Sequence, residues 1–207
     1  MKRKIIFIGN SIVNGFPYSR GKSFPGLVRA AVKDGRAGFH AEIINKGNNG
    51  ETTAQILARF QRDVLDHAPV CVFIMTGTND FIYREETAEG CMANLETMAQ
   101  QADAAGIVPV LLTPLFTDAR KASRMWMAGL GIDYDDINRQ IADLSDRIRS
   151  SGRLFLDLNA AYQADADASG SAGTYTDGVH PTPEGYRFLA DTTLQWMKEH
   201  LQKLGLL

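Results

Sequence analysis

Three residues in two turns of the sequence have the side chains of a nucleophilic catalytic site. Ser11 follows the apolar run at positions 4–9, while Asp177 and His180 stand three residues apart just before the last helical pattern. A serine hydroxyl is a weak nucleophile at neutral pH, so it needs a base to take its proton and a third group to hold that base. The pattern predicts Ser11 as nucleophile, His180 as general base and Asp177 as the acceptor for the ring Nδ1.

The choice of His180 among the four histidines depends on where each one lies in the sequence. His40 opens a predicted strand, His67 lies near a predicted helix end, and His200 lies within the final helical pattern. Only His180 belongs to a turn that we expect at the site. It is therefore the predicted general base.

Hydrogen-bond donors for an oxyanion are the second requirement of such a site, and each contributes about 3 to 4 kcal/mol in comparable sites. The predicted donors are the backbone N–H groups of Ser11 and Gly50 and the side-chain amide of Asn79. Gly50 lets the backbone approach a substrate without a Cβ in the way, and Asn79 offers donors without a charge. Gly47 lies in the same turn as Gly50, and we expect it to end the preceding strand.

The elements that must position these residues follow from hydrophobic patterning. Five β-rich runs alternate with longer helical patterns, which predicts βαβ units, a parallel sheet and a three-layer α/β/α sandwich. At 207 residues we expect one domain, 1–207. The predicted strands are Lys4–Gly9, Ala41–Asn45, Val70–Thr76, Val108–Thr113 and Leu154–Leu158, and the predicted helices are Ser23–Lys33, Thr52–His67, Glu86–Ala105, Asp133–Ser150 and Pro183–Leu204.

Two segments are longer than the other connections. Leu115–Ile132 mixes aromatic, methionine and basic residues, and Gln163–Thr174 is rich in Ala, Ser, Gly and Asp. Ligands of open parallel sheets bind outside the carboxyl ends of the strands. The turns that carry Ser11, Gly50 and Asn79 follow the first three strands, so we expect them to meet at one rim of the sheet.

Four blocks of the sequence carry a family resemblance. They are Gly9-Asn10-Ser11, Gly50 within the turn 45–52, Gly77-Thr78-Asn79-Asp80 and Asp177-Gly178-Val179-His180. Together they resemble the SGNH hydrolases, also called the GDSL lipase and esterase family, over nearly the whole chain. The resemblance implies a flavodoxin-like sheet of order 2-1-3-4-5, ester hydrolysis, and no metal or organic cofactor. It also implies Ser11 as nucleophile, Gly50 and Asn79 in the oxyanion hole, and the Asp177 and His180 pair.

Asn10 departs from the family pattern, which usually has Asp before the serine. An Asn can still accept a hydrogen bond from a turn N–H and tolerates unusual backbone angles. Without a carboxylate beside Ser11, we expect the protonated imidazole to be slightly less favoured. Asn10→Asp is therefore expected to raise the pH midpoint of activity.

The substrate is expected to depend on the walls of the pocket. The candidate substrate-binding residues are Asn10, Asp80, Phe116, Trp126 and Val179; core or interface packing is the alternative for Trp126 and its methionine neighbours. We expect short-acyl or O-acetyl esters. A lysophospholipase or thioesterase acting on longer acyl chains, and an acyltransferase using the same triad, stay open as alternatives.

Two rival classes are not enzymes of this kind. A catalytically silent carbohydrate- or lipid-binding protein would leave Ser11 unreactive towards a fluorophosphonate probe. A flavodoxin-like electron carrier would share the architecture, but the chain has no Ser/Thr/Gly-rich phosphate loop after the first strand.

The composition limits the binding partners and the cellular location that we expect. The net charge is −2 and Lys and Arg are scattered, so a nucleic-acid partner is not expected. The apolar run at positions 5–8 is too short for a signal peptide or a membrane span, so we expect a cytoplasmic protein without stable membrane insertion. Cys71 and Cys91 are expected to be inert core thiols. The expected partner is a small-molecule ester, and the oligomeric state is not predicted.

Overall fold

A sheet of five parallel strands lies at the centre of the computed structural model, which describes residues 3–169 and 174–207. The strands lie in the order β2-β1-β3-β4-β5. They are β1 Lys4–Gly9, β2 Glu42–Gly47, β3 Cys71–Met75, β4 Val108–Leu112 and β5 Phe155–Leu156. The predicted parallel sheet and its strand order are confirmed, and β1 has the predicted bounds.

Helices cover both faces of this sheet. They are α1 Ser11–Asn14, α2 Phe24–Lys33, α3 Thr53–Ala58, α4 Phe60–Asp63, α5 Thr78–Tyr83, α6 Ala88–Ala104, α7 Ala119–Met125, α8 Tyr134–Ser150, α9 Leu158–Ser169 and α10 Pro183–His200. One core joins α2, α9 and α10 to the sheet, and a second core joins α3, α4, α6 and α8 to its other face. The predicted three-layer α/β/α architecture is confirmed. None of the described helices has the length and apolar character needed to cross a lipid bilayer.

Strands β3 and β4 and the part of β1 after Lys4 are apolar because both of their faces are buried, whereas the edge strand β2 carries polar residues such as Glu42 and Lys46. Successive side chains of a strand point to opposite faces, so Ile5 and Phe7 of β1 enter one core while Ile6 and Ile8 enter the other. All four are fully buried. Phe7 also stacks on Phe73 of β3, with ring centroids 4.6 Å apart. This packing fixes β1 and β3 side by side, and their carboxyl ends lead into α1 and α5 at one rim.

The bounds of several predicted elements shift by a few residues, and the predicted strand Leu154–Leu158 is too long, since β5 spans Phe155–Leu156 and Leu158 begins α9. Two further predicted segments differ in kind from the structure. The continuous helix Thr52–His67 is wrong, since α3 and α4 are separated at Arg59 and a 3₁₀ turn follows at Leu65–His67. The irregular segment Gln163–Thr174 is wrong in its first part, because α9 continues through Ser169. Its residues 170–173 lie outside the described residues.

Candidate active site

The hydroxyl of Ser11 lies beside the imidazole of His180. Ser11 Oγ and His180 Nε2 are 2.9 Å apart, although 169 positions separate the two residues in the chain. His180 Nδ1 lies 2.8 Å from Asp177 Oδ2. The structure thus brings together the three residues predicted to form the triad, in the order that passes a proton from hydroxyl to ring and holds the ring with a carboxylate.

Asp177 is held by its own loop as well as by the imidazole. Its Oδ1 accepts the backbone N–H of His180 at 2.8 Å and that of Val179 at 3.0 Å. Burial acts to raise the pKa of Asp177, but the hydrogen bond and charge of His180 and these backbone donors outweigh it and leave the pKa lowered. The carboxylate is therefore ionised at neutral pH and fixes the ring so that Nδ1 carries the proton and Nε2 faces the serine.

Two aromatic side chains pack against the ring of His180, a residue that is only 1% exposed. Trp126 meets it with ring centroids 4.5 Å apart and Phe16 with centroids 4.7 Å apart, both in edge-to-face geometry. Trp126 was predicted as a candidate for substrate contact, whereas Phe16 was missed. Its position five residues after Ser11, beyond a short helix and a turn, gives no sequence signal that it would return to the histidine.

Trp126 is held against His180 because its segment packs on the loop 177–180. Tyr134 Oη donates to the Trp126 carbonyl at 2.6 Å, and burial raises the pKa of Tyr134 to about 12, so it stays a donor. Asp118 N donates to the Gly178 carbonyl at 2.8 Å. A Cβ on Gly178 would come within 2.2 Å of Ala122 N, so only glycine allows this approach of α7. The segment Leu115–Ile132 is therefore an anchored wall that contains the short helix α7.

Ser11, the predicted nucleophile, occupies the first position of α1. The Asn10 side chain caps this helix by accepting from Ile12 N at 3.4 Å, as the turn chemistry predicted. Asn10 is only 3% exposed and Ser11 is 9% exposed. Asn45 of β2 supports the same turn by donating to the carbonyl of Val13 at 2.7 Å. Ser11 is thus presented from a buried, hydrogen-bonded turn.

The turn 48–51 lies between α1 and Asn79. Asn14 Nδ2 donates to Asn49 Oδ1 at 2.7 Å, and Asn79 Nδ2 donates to the Glu51 carbonyl at 2.9 Å. Gly50, between these two contacts, has φ +78°, a conformation that favours glycine. Gly47 ends β2, as predicted. The turn that carries Gly50 is therefore tied to α1 through Asn14 and to Asn79 through Glu51. Only one Asn79 N–H is engaged by another residue in the part of the chain that the structure describes.

The remaining candidates for substrate contact have different surroundings. Asp80 is fully buried, and its carboxylate accepts from Thr53 N and Thr53 Oγ1. Burial raises the pKa of Asp80, against the hydrogen bonds from Thr53. The prediction that Asp80 contacts substrate does not fit this placement. Asp80 instead connects α5 to α3 through its hydrogen bonds to Thr53. Val179 is 5% exposed and packs in the core, while Phe116 is partly buried against that core.

Metal ligation and thiol chemistry find no support in the described part of the chain. Residues 3–169 and 174–207 contain no group of three or more His, Cys, Asp and Glu side chains arranged to hold a metal ion. Cys71 and Cys91 are free and buried, as expected, and burial raises the pKa of both thiols far above its ordinary value.

Comparison with known proteins gives the family. A model of the GDSL-like lipase/acylhydrolase family matches residues 7–188. The chain is 23% identical to the acetylxylan esterase of Geobacillus stearothermophilus over 214 residues, covering 93% of this chain and 92% of that protein. It is 26% identical to the lipoprotein YqeF of Bacillus subtilis (strain 168) over 174 residues, covering 72% and 70% of the two chains. Because one of these relatives is a lipoprotein, the comparison does not bear out the cytoplasmic location, which stays a prediction.

The structural comparison agrees. The crystal structure of the lipase/acylhydrolase from Enterococcus faecalis superposes with a TM-score of 0.76 at 25% identity, covering 95% of this chain and 96% of that chain. The acetylxylan esterase of Geobacillus stearothermophilus superposes with a TM-score of 0.70 at 21% identity, covering 93% of each chain. With this fold and a family match over most of its length, the chain belongs to the GDSL-like lipase/acylhydrolase family and is a carboxylic ester hydrolase.

Proposed function

We propose that the chain hydrolyses esters through an acyl-enzyme formed on Ser11. Ser11 Oγ attacks the ester carbonyl carbon while its proton passes to His180 Nε2. The bond from the carbonyl carbon to the alcohol oxygen then breaks, and His180 returns the proton to the leaving alcohol. Water adds to the acyl-enzyme with His180 as base, the free acid leaves, and Ser11 regains its proton.

The observation that carries this mechanism is the continuous chain of hydrogen bonds from Ser11 through His180 to Asp177, at 2.9 Å and 2.8 Å. The imidazole needs no rearrangement to take the serine proton, because the acceptor nitrogen already lies within hydrogen-bond reach. In the transition state the carbonyl oxygen becomes an oxyanion, for which the N–H groups of Ser11 and Gly50 and the amide of Asn79 are the proposed donors.

For the substrate we propose short-acyl esters, O-acetyl groups on a saccharide in particular. The rim beside Gly50 carries the exposed amides of Asn48 and Asn49 and the Tyr83 side chain, which is 43% exposed. Amides and a phenol suit the hydroxyl groups of a sugar better than an alkyl chain. Ser11, only 9% exposed beside the enclosed ring of His180, favours a small acyl group. The similarity to an acetylxylan esterase supports the same substrate class.

A longer acyl chain is the second candidate, favoured by one feature of the wall that carries Trp126. Met125 and Leu130 in that wall are 58% and 66% exposed. Exposed apolar side chains next to a catalytic cleft can line the path of an acyl chain. An esterase that uses this surface would prefer octanoyl to acetyl esters.

The experiment compares acetyl, butyryl and octanoyl p-nitrophenyl esters with an acetylated oligosaccharide. We expect kcat/KM to be highest for the acetyl compounds, and a rise towards octanoyl would replace the short-acyl assignment with the second candidate. Ser11→Ala is the control: it should abolish cleavage of every ester while leaving the circular dichroism spectrum and the melting temperature unchanged. Added alcohol or sugar acceptors, with product analysis, separate hydrolysis from acyl transfer.

A further inference from the structure

Arg59 is a largely enclosed cation at the break between α3 and α4. Its side chain is only 10% exposed, and a buried charge needs several partners to offset its desolvation. The sequence gives this residue no role, since it lies within the helical pattern that was predicted to run without interruption. Its partners lie in the turns that surround the candidate active site.

The guanidinium reaches the carboxyl ends of two neighbouring strands. One terminal nitrogen of Arg59 donates to the carbonyl of Lys46 at 2.9 Å and to that of Gly9 at 3.2 Å. Gly9 is the last residue of β1, two positions before Ser11, and Lys46 lies at the end of β2. Arg59 therefore bridges the paired strand ends from which the Ser11 turn and the Gly50 turn depart.

The same guanidinium also holds the turn that carries Gly50. Arg59 Nε donates to Glu51 Oε2 at 2.7 Å, and Glu51 is at the same time the residue whose backbone carbonyl accepts from Asn79 at 2.9 Å. The remaining nitrogen donates to Asp63 Oδ2 at 2.9 Å. The segments of Ser11 and Gly50 thus meet at one guanidinium, and Asn79 is linked to it through Glu51.

We propose that Arg59 is a positioning residue for the oxyanion hole: it fixes the Gly50 turn, and through Glu51 the amide of Asn79, relative to Ser11. This inference rests on the proposed function. A donor displaced by about 1 Å can cost on the order of a hundredfold in rate. Arg59 thereby influences kcat without touching the substrate.

Arginine suits this position for a geometric reason. Its planar guanidinium offers five N–H donors in fixed directions, whereas lysine offers one nitrogen with three donors. The four acceptors of Arg59 belong to Gly9, Lys46, Glu51 and Asp63, and all three guanidinium nitrogens take part. A lysine keeps the charge but cannot contact all four.

Arg62 provides a matched control. It also pairs with Asp63, at 3.0 Å, but its side chain is 74% exposed. None of its hydrogen bonds within the described residues reaches Gly9, Lys46 or Glu51. If weakening the ion pair with Asp63 were enough to lower kcat, then kcat would fall in Arg62→Lys as well as in Arg59→Lys.

The experiment measures kcat and KM of Arg59→Lys and Arg62→Lys with p-nitrophenyl acetate, and counts reactive sites by titration with a fluorophosphonate. For Arg59→Lys we expect kcat to fall on the order of 10- to 100-fold, KM to change less than about threefold, and one label per chain to be retained at a slower rate. Arg62→Lys should stay within about twofold. Arg59→Lys with unchanged kcat, or with a loss that matches a loss of labelled sites, would overturn the proposal.

A second comparison separates positioning from general stability. If Arg59 acts through Asn79, then Arg59→Lys should cost much less in an Asn79→Ala background than in the wild type, because coupled residues are not additive. Full additivity would overturn the proposal. Should Arg59→Lys fail to fold, Glu51→Gln replaces it in the same cycle, with the same expected loss of kcat at constant labelling. An unlabelled, inactive wild type would instead contradict the proposed function.

Discussion

The indole of Trp126 meets the imidazole of His180 edge to face, with ring centroids 4.5 Å apart and 74° between the ring planes. Phe16 packs on the same ring with a centroid distance of 4.7 Å, and the Phe16 and Trp126 centroids are 5.6 Å apart, so the two aromatic rings also contact each other. The imidazole of His180, the proposed base, is thus held by packing on its ring as well as by Asp177. Its surroundings also exclude water, which strengthens the hydrogen bonds of the triad.

Trp126→Ala should lower kcat/KM for p-nitrophenyl acetate by up to about tenfold, because an aromatic pair contributes about 0.5–1.5 kcal/mol beyond its buried area. Trp126→Phe retains an aromatic edge against the imidazole and should lose less than about threefold. Equal losses in the two variants would show that the contact with His180 is not what matters at this position. Steady-state kinetics at saturating and limiting substrate provide the measurement.

Asn10→Asp should raise the pH at which activity reaches half its maximum. Asn10 is buried beside Ser11, and a carboxylate there would favour the protonated imidazole, which cannot act as base. Activity would then begin at a higher pH than in the wild type. The test is a profile of kcat/KM between pH 5 and 9, and a midpoint that stays in place or falls would contradict the prediction.

Asp63→Asn should destabilise the fold in a pH-dependent way. The hydrogen bond from Arg62 holds the pKa of Asp63 far below its ordinary value. Arg59 and Lys46 lower this pKa further, while burial acts to raise it. A lowered pKa contributes stability that is complete above the unfolded value, about 3.9, and is lost as the pH falls towards the folded value.

We therefore expect Asp63→Asn to lose about 2 kcal/mol of unfolding free energy at pH 7. The difference in unfolding free energy between variant and wild type should become smaller below about pH 4. Urea denaturation at a series of pH values measures it. Asp66→Asn is the control, since Asp66 is exposed and bonds only to Gln61 in the structure as described. A difference in unfolding free energy that stays constant from pH 7 to pH 3 would rule out the ion-pair explanation.

The sequence was most informative where one physical constraint decides the pattern. Strands buried on both faces are apolar, and the apolar runs after Lys4 and from Val108 are found in β1 and β4 as predicted. The short turn from Asp177 to His180 was likewise readable, because a carboxylate three residues before a histidine can brace it locally. In both cases neighbouring residues in the sequence suffice.

Long-range contacts account for what the sequence did not show. The break of the predicted helix at Arg59 accompanies hydrogen bonds to two strand ends, 13 and 50 positions away. The ring of Phe16 meets a histidine that lies far along the chain. Asp80 looked available for substrate, yet Thr53, 27 positions away, encloses its carboxylate. No local pattern carries these pairings, since each depends on how the finished sheet brings its turns together.

The most direct test of the triad is the site of covalent capture. The wild-type protein is treated with a fluorophosphonate probe, digested, and the modified peptide is sequenced by mass spectrometry, with His180→Ala as a parallel sample. We expect one adduct per chain, on Ser11, formed much more slowly in His180→Ala. An adduct on any other residue, or an esterase that turns over substrate with Ser11 unmodified, would contradict the assignment of Ser11 as the nucleophile.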